Sequence, residues 1–140
     1  MTSNFVVKVN ALGLLETDLH FVLKPGSKVK LKRDVYFRER EKVAKLLNIL
    51  CAKCGAKVLL YQKDGRGRLH RCYLNRIYDP PRYSKLQGLH IASKKELPNL
   101  VCRNCNEVIG YPMEHWEGRL AYRLAQGKWR TQRSEVLGIA

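Results

Sequence analysis

Apolar and polar side chains alternate near the start of the chain and predict its first strands. Residues 5–10, FVVKVN, and residues 20–25, HFVLKP, are rich in β-branched and aromatic side chains, which favour strands. In residues 28–33, KVKLKR, the apolar Val29 and Leu31 alternate with lysines. This alternation predicts a half-buried strand with a cationic outer face.

A different period follows and predicts a helix. Four apolar residues lie at positions i, i+3, i+4 and i+7 of one helical stripe: Val43, Leu46, Leu47 and Leu50. Asp34 is a suitable N-cap for a helix that reaches back to Val35, and a start nearer Arg38 is the alternative. The charged residues from 38 to 45 fit the solvent-exposed face of this helix. Residues 1–48 are therefore predicted to form a strand and helix extension.

Two later segments, residues 51–77 and 102–128, resemble each other at a constant offset of 51 residues. The pair Cys51-x-x-Cys54 aligns with Cys102-x-x-Cys105, and Gly67-Arg68-Leu69 aligns with Gly118-Arg119-Leu120. Such fixed self-similarity is typical of a repeated structural unit. Each half is predicted to be a cysteine turn followed by a β-hairpin, together forming a domain over residues 49–134.

The two cysteine turns predict a shared metal site. Gly55 and Asn106 follow the two pairs, and both residue types readily adopt the left-handed backbone conformation that such a turn needs. Zinc takes four ligands in a tetrahedron, so two turns complete one closed structural site. The predicted ligands of this single Zn²⁺ ion are Cys51, Cys54, Cys102 and Cys105.

Thiol redox chemistry is the alternative for these cysteines. A redox Cys-x-x-Cys pair usually begins a helix, where the macrodipole lowers the thiol pKa, but both pairs here run into strand-like segments.

The fifth cysteine, Cys72, aligns with Arg123, so the repeat does not require sulfur there. We predict that Cys72 is a buried strand residue.

The segment Cys102-x-x-Cys105-x-x-x-Ile109-Gly110-Tyr111, with the earlier Cys51-x-x-Cys54-Gly55, resembles the knuckles of the β-tent proteins. That group includes the Yippee-type proteins, the ligand-binding domain of cereblon and zinc-bearing methionine sulfoxide reductases. The resemblance covers residues 51 to about 130 and implies two antiparallel sheets pinned at one end by a four-cysteine zinc ion. The chain departs from the reductases because no cysteine follows Cys105, and the spacing of its tryptophans does not match a cereblon-like cage. A zinc ribbon with long hairpins is the alternative architecture. The expected fold class is mainly β (α+β).

The charge balance indicates which class of partner the chain attracts. The chain has 27 Lys and Arg against 12 Asp and Glu, a net charge of +15. Such a field attracts polyanions, nucleic acid before anionic membrane surfaces. No apolar run approaches the roughly 20 residues of a membrane helix, and no secretory signal is visible at the start. We therefore expect a cytoplasmic protein without a membrane span.

Arginines interleaved with tyrosines give the candidate nucleic-acid surface, since arginine pairs with phosphate and aromatic rings stack on bases. The candidate residues are Arg66, Arg68, Arg71, Arg76, Arg82, Arg119, Lys128 and Arg130. The sequence predicts a non-enzymatic zinc module that binds nucleic acid, RNA or a ribonucleoprotein being favoured. The alternative is a β-tent-like adaptor for a protein or small ligand, and a thiol redox protein is third. The sequence has no paired carboxylates, phosphate loop or nucleophile–base set that would indicate an enzyme.

Overall fold

The computed structural model describes residues 20–89, 91 and 93–139, and within these ranges the chain is built mainly of β-strands. The strands of the described part, in chain order, are β1 (Lys28–Lys30), β2 (Ala44–Cys51), β3 (Lys57–Asp64), β4 (Arg71–Tyr73), β5 (Ile77–Asp79), β6 (Leu100–Val101), β7 (Val108–Glu114), β8 (Leu120–Leu124), β9 (Trp129–Arg133) and β10 (Leu137–Ile139). Two short α-helices accompany them, α1 (Val35–Glu39) and α2 (Pro81–Ser84). Short 3-10 turns lie at Leu74–Arg76, Lys85–Gly88, Lys94–Glu96 and Trp116–Gly118.

Two antiparallel four-stranded sheets enclose the main core. The first sheet has the strand order β5-β3-β2-β9, and the second has the order β4-β8-β7-β6. Ile49 and Leu59 of the first sheet belong to the same buried cluster as Ile109 and Tyr122 of the second. Strands β1 and β10 form a separate parallel pair. The predicted mainly β class with two antiparallel sheets is confirmed.

Residues 43–50, which we predicted as a helix, lie almost entirely in strand β2, so the helix prediction is wrong. β2 lies inside the first sheet, and its two faces meet different apolar clusters. Ile49 packs in the main core, whereas Leu46 packs with Leu60 and Val136 in a second cluster. A strand buried on both faces is a nearly continuous apolar run, and such a run contains helix-spaced residues by coincidence.

The helix that does form, α1, ends well before β2. Its N-cap is Asp34, whose carboxylate accepts hydrogen bonds from two N–H groups of the first helical turn. The predicted cap is therefore confirmed. Beyond the helix, Glu41 and Lys42 adopt positive φ angles of 67° and 58°. This left-handed pair breaks the helical path and lets the chain enter β2 as an extended strand.

The two repeat halves differ in how their later strands pair. In the first half, β3 pairs with β2 and β5, whereas β4 pairs with β8 of the second sheet. The predicted β3–β4 hairpin is therefore wrong. In the second half, β7 and β8 do pair, joined through the turn at Trp116–Gly118. Residues 65–70 consequently cross from one sheet to the other.

The predicted N-terminal strands are observed only in part. Of residues 28–33, the first three form β1, and residues 20–25 contain no strand. The strand predicted at residues 5–10 lies outside the described residues. The division of the chain into residues 1–48 and 49–134 stays a prediction, and β2 spans that boundary.

A buried arginine ties α1 to the first sheet. Arg76 is only 1% exposed, and its Nη1 and Nη2 donate to the two carboxylate oxygens of Asp34 at 3.0 and 2.6 Å. Its Nε donates to Oδ2 of Asp64 at 2.8 Å. The hydrogen bonds from Arg76 lower the pKa of Asp34 to about 2. Since Asp34 caps α1 and Asp64 ends β3, one guanidinium fixes the position of the helix against the sheet.

Replacing this guanidinium should destabilise the fold. We expect Arg76→Met to lower the free energy of unfolding by about 3 kcal/mol, because two carboxylates then lack their buried partner. Urea denaturation followed by circular dichroism measures the change. Arg38→Met, which alters an exposed arginine of α1, is the matched control and should change the free energy by less than about 0.5 kcal/mol. Equal stabilities of the two variants would contradict the structural role of Arg76.

Candidate metal centre and cationic cavity

The two cysteine turns share one backbone hydrogen-bond pattern. The N–H of Cys51 donates to the carbonyl of Ala56 at 2.9 Å, and 51 residues later the N–H of Cys102 donates to Glu107 at 2.8 Å. Each turn therefore closes a hairpin, β2–β3 in the first sheet and β6–β7 in the second. The repeat seen in the sequence is thus a repeat of structure at these turns.

The residue after each cysteine pair has the predicted left-handed conformation. Gly55 has φ +80° and Asn106 has φ +63°. Their N–H groups donate to the carbonyls of Cys51 and Cys102 at 2.8 and 2.9 Å. Because this geometry bends the chain back on itself, the two cysteines of each pair point their sulfurs to the same side.

The four sulfurs of the two turns converge on one point. The Sγ atoms of Cys51, Cys54, Cys102 and Cys105 all lie within 4.8 Å of one another. The Sγ–Sγ distances between turns are 3.7 Å for Cys51 and Cys105 and 3.5 Å for Cys54 and Cys102. These distances are far longer than the roughly 2.05 Å of a disulfide bond. A tetrahedron with metal–sulfur bonds of about 2.3 Å has edges of about 3.8 Å, so the cluster could hold one metal ion.

Backbone and side-chain donors already face these sulfurs. The N–H of Ala56 reaches Cys54, and the equivalent N–H of Glu107 reaches Cys105. The Asn104 side chain and then the Ala56 N–H lower the pKa of the Cys54 thiol to about 6. Burial raises the pKa of Cys102 to about 12. A cation would offset the cost of ionising the buried thiol, because metal ligation favours the thiolate.

A second candidate site is a cavity of about 440 Å³, which we name the cationic cavity. It lies between α1, the crossing segment 65–70 and the turn Trp116–Gly118. Six basic residues line it: Arg40, Lys63, Arg66, Arg68, Arg71 and Arg119. Among the described residues the acidic lining consists of Glu39 and Asp64, and Asp64 is already engaged by Arg76. The cavity therefore carries a positive potential.

Aromatic rings and one arginine form a continuous series of contacts along the cavity wall. The Arg119 guanidinium lies 3.6 Å from the centroid of the Tyr36 ring and 3.7 Å from that of Tyr73. The Tyr73 hydroxyl lies 3.1 Å from Nδ1 of His115. The His115 ring in turn stacks on Trp116, with ring centroids 5.4 Å apart and planes inclined by 9°. Burial, followed by the charge of Arg71, lowers the pKa of His115.

The structure gathers half of the arginines and lysines that the sequence singled out. Arg66, Arg68, Arg71 and Arg119 all line the cationic cavity. The other four lie elsewhere in the fold. Arg76 is buried between carboxylates, Arg82 lies in α2, Lys128 pairs with Glu107 at 2.8 Å, and Arg130 lies beside Gly55.

The sequence did not reveal several residues of the cavity. Arg40 and Lys63 join the basic lining, and Tyr36, His115 and Trp116 supply aromatic rings. The sequence predicted Arg40 on the solvent face of a helix, but α1 ends at Glu39 and Arg40 is its C-cap. The one local signal was the exposed turn His115-Trp116, since a tryptophan in a turn is rarely without a packing or binding role. Cys72 is fully buried in β4, as predicted.

No protein-family model, no curated protein and no solved structure matches the chain. The four-cysteine cluster is consistent with a two-knuckle metal scaffold, while membership of the β-tent group stays an expectation. In the described part of the chain, no helix is long and apolar enough to cross a membrane.

The cysteine cluster should bind one metal ion per chain, and the ion should contribute to folding. We expect one molar equivalent of metal by elemental analysis of the purified protein. Cys105→Ser should lose most of that metal and lower the melting temperature, because metal binding at such a site is also folding free energy.

Cys72→Ala provides the matched control, because it removes the one cysteine outside the cluster. This variant should keep its full metal content. A wild-type protein that is folded and free of metal, or equal metal loss in both variants, would contradict the assignment.

Proposed function

We propose that this protein is a non-enzymatic module with one structural zinc ion that binds single-stranded RNA through the cationic cavity. The observation that carries the proposal is the convergence of four predicted arginines on one aromatic-walled cavity. Exposed arginines hold phosphates by paired hydrogen bonds. Aromatic faces stack on unpaired bases, which single strands offer and duplexes do not.

The charges around the cavity support a polyanionic partner. Arg40, Arg66 and Arg68 are exposed, and Arg66 pairs with Glu41 at 3.6 Å through side chains that are 81% and 64% exposed. An ion pair that exposed contributes little to stability. A phosphate of the RNA can therefore replace Glu41 as the partner of Arg66 with little loss of stability. Its binding also releases counterions from the RNA.

Zinc is the metal that best suits the cysteine cluster. Four thiolates in a tetrahedron are typical of zinc and iron–sulfur chemistry, and the sulfur spacing of one mononuclear site favours zinc. Such a site has no free coordination position for water or substrate. Its contribution would be to hold the two sheets together, which is why we propose a structural and not a catalytic ion.

The adaptor function has one observation in its favour. A broad groove of about 1640 Å³ lies beside the cavity, and apolar side chains of Tyr111, Met113 and Trp129 are part of its lining. A protein segment or small ligand fits such a surface. This candidate ranks second because Lys45, Arg68 and Arg123 line the same groove and keep it cationic.

Neutralising two cavity arginines should weaken RNA binding and its salt dependence. We expect the double variant Arg66→Gln/Arg68→Gln to bind single-stranded RNA more weakly. The slope of log affinity against log salt should become shallower by about 1.4, because two phosphate contacts are lost at about 0.7 each. Filter binding across a salt series measures both quantities.

The double variant Lys28→Gln/Lys30→Gln is the matched control. It removes the same charge from β1, whose exposed lysines do not line the cavity, and should keep the wild-type slope. Wild-type protein that fails to bind RNA at low salt would overturn the proposed function. RNA binding that is unaffected by the arginine variant would place the RNA outside the cationic cavity and contradict the proposed site.

A further inference from the structure

We propose that the cationic cavity is a pocket for one unpaired nucleobase of the RNA strand, stacked on Trp116 with its flanking phosphates held by Arg40, Arg66 and Arg68. This inference rests on the proposed function and deepens it. It predicts that the affinity of the protein for RNA depends on the bases as well as on the charge of the RNA backbone.

The exposure of Trp116 is the first observation. Trp116 is 81% exposed, although tryptophan normally buries a large apolar area. One face of the indole stacks on His115, so the exposed area belongs to its opposite face and edges. A large aromatic ring presented to solvent among arginines is typical of a binding surface.

The support behind Trp116 is the second observation. His115 is held by the Tyr73 hydroxyl at 3.1 Å, and the Tyr73 ring packs on Arg119 at 3.7 Å. Arg119 is held further by the Asn75 side chain at 3.3 Å. Because each group fixes the next, the stacking surface is ordered before any ligand arrives. Binding then costs little side-chain entropy.

The size and charge of the cavity fit one nucleotide better than a larger ligand. Its volume of about 440 Å³ falls within the range of about 300 to 1,000 Å³ that is usual for small-ligand pockets. A duplex does not enter such a space, and its bases have both faces covered by neighbours. The exposed Arg40, Arg66 and Arg68 lie at the same cavity and can contact phosphates on either side of the base.

The test compares two fluorescent RNA octamers by anisotropy at one fixed salt concentration. One is oligoadenylate, and the other has the same ribose-phosphate backbone without bases. We expect the wild-type protein to bind oligoadenylate about 5- to 150-fold more tightly, the range that corresponds to stacking of about 1–3 kcal/mol. Trp116→Ala should remove most of this preference, and Trp116→Phe should retain part of it.

Tyr111→Ala is the matched control, because Tyr111 is 52% exposed and lines the groove instead of the cavity. This variant should keep the preference for the base-bearing strand. Loss of the preference in Tyr111→Ala but not in Trp116→Ala would overturn the pocket, because it would place the base in the groove.

The remaining outcomes separate the two proposals. Binding of both octamers with equal affinity would leave RNA binding intact and overturn the nucleobase pocket. Failure to bind either octamer at low salt would overturn the proposed function and the pocket with it. Adenosine 5′-monophosphate that binds as tightly as the octamer would also overturn the inference, because the ligand would then be a free nucleotide.

Discussion

The convergence of four cysteine sulfurs is the constraint on which the arrangement of the two sheets depends. Each cysteine turn closes one hairpin, β2–β3 in the first sheet and β6–β7 in the second, so each sheet supplies half of the cluster. Sulfurs from opposite hairpins lie 3.5 and 3.7 Å apart. Ionised thiolates at that distance repel one another, whereas a shared cation would attract all four. The main core lies between the sheets, and Cys51 and Cys102 are part of it, so binding of a metal ion at the cluster would be coupled to core formation.

The cationic cavity arises where the structure departs from the repeat. In the second half, β7 and β8 pair within one sheet, but in the first half β4 leaves β3 and joins β8. The crossing segment 65–70 is therefore held between the sheets instead of forming a hairpin tip. This path carries Arg66 and Arg68 to α1 and to the turn that bears Trp116. The repeated cysteine turns connect the strands of the two sheets, and the asymmetric part of the chain forms the cationic cavity.

The sequence predicted the features that depend on local chemistry. The cysteine turns, the left-handed Gly55 and Asn106 and the buried Cys72 follow from residue type and repeat spacing alone. Strand β2 could not be predicted, because burial of both its faces depends on clusters formed by distant segments. Arg76 was grouped with phosphate-binding arginines for the same reason. Its main partner Asp34 is 42 residues away, and no local pattern reveals such a pair.

The energetics of the cavity follow from how its charges are held. Like charges packed around one concavity raise the free energy of the unbound protein. Arg119 is accommodated because two tyrosine rings flank its guanidinium, and cation–π contacts offset part of its desolvation. Burial lowers the pKa of Lys63, and its ammonium donates to the Gly65 carbonyl at 3.0 Å. Arg40, Arg66 and Arg68 remain exposed to water. A bound polyanion would reduce the repulsion among all these groups at once. The same positive charge that raises the free energy of the empty cavity would therefore favour binding of the polyanion.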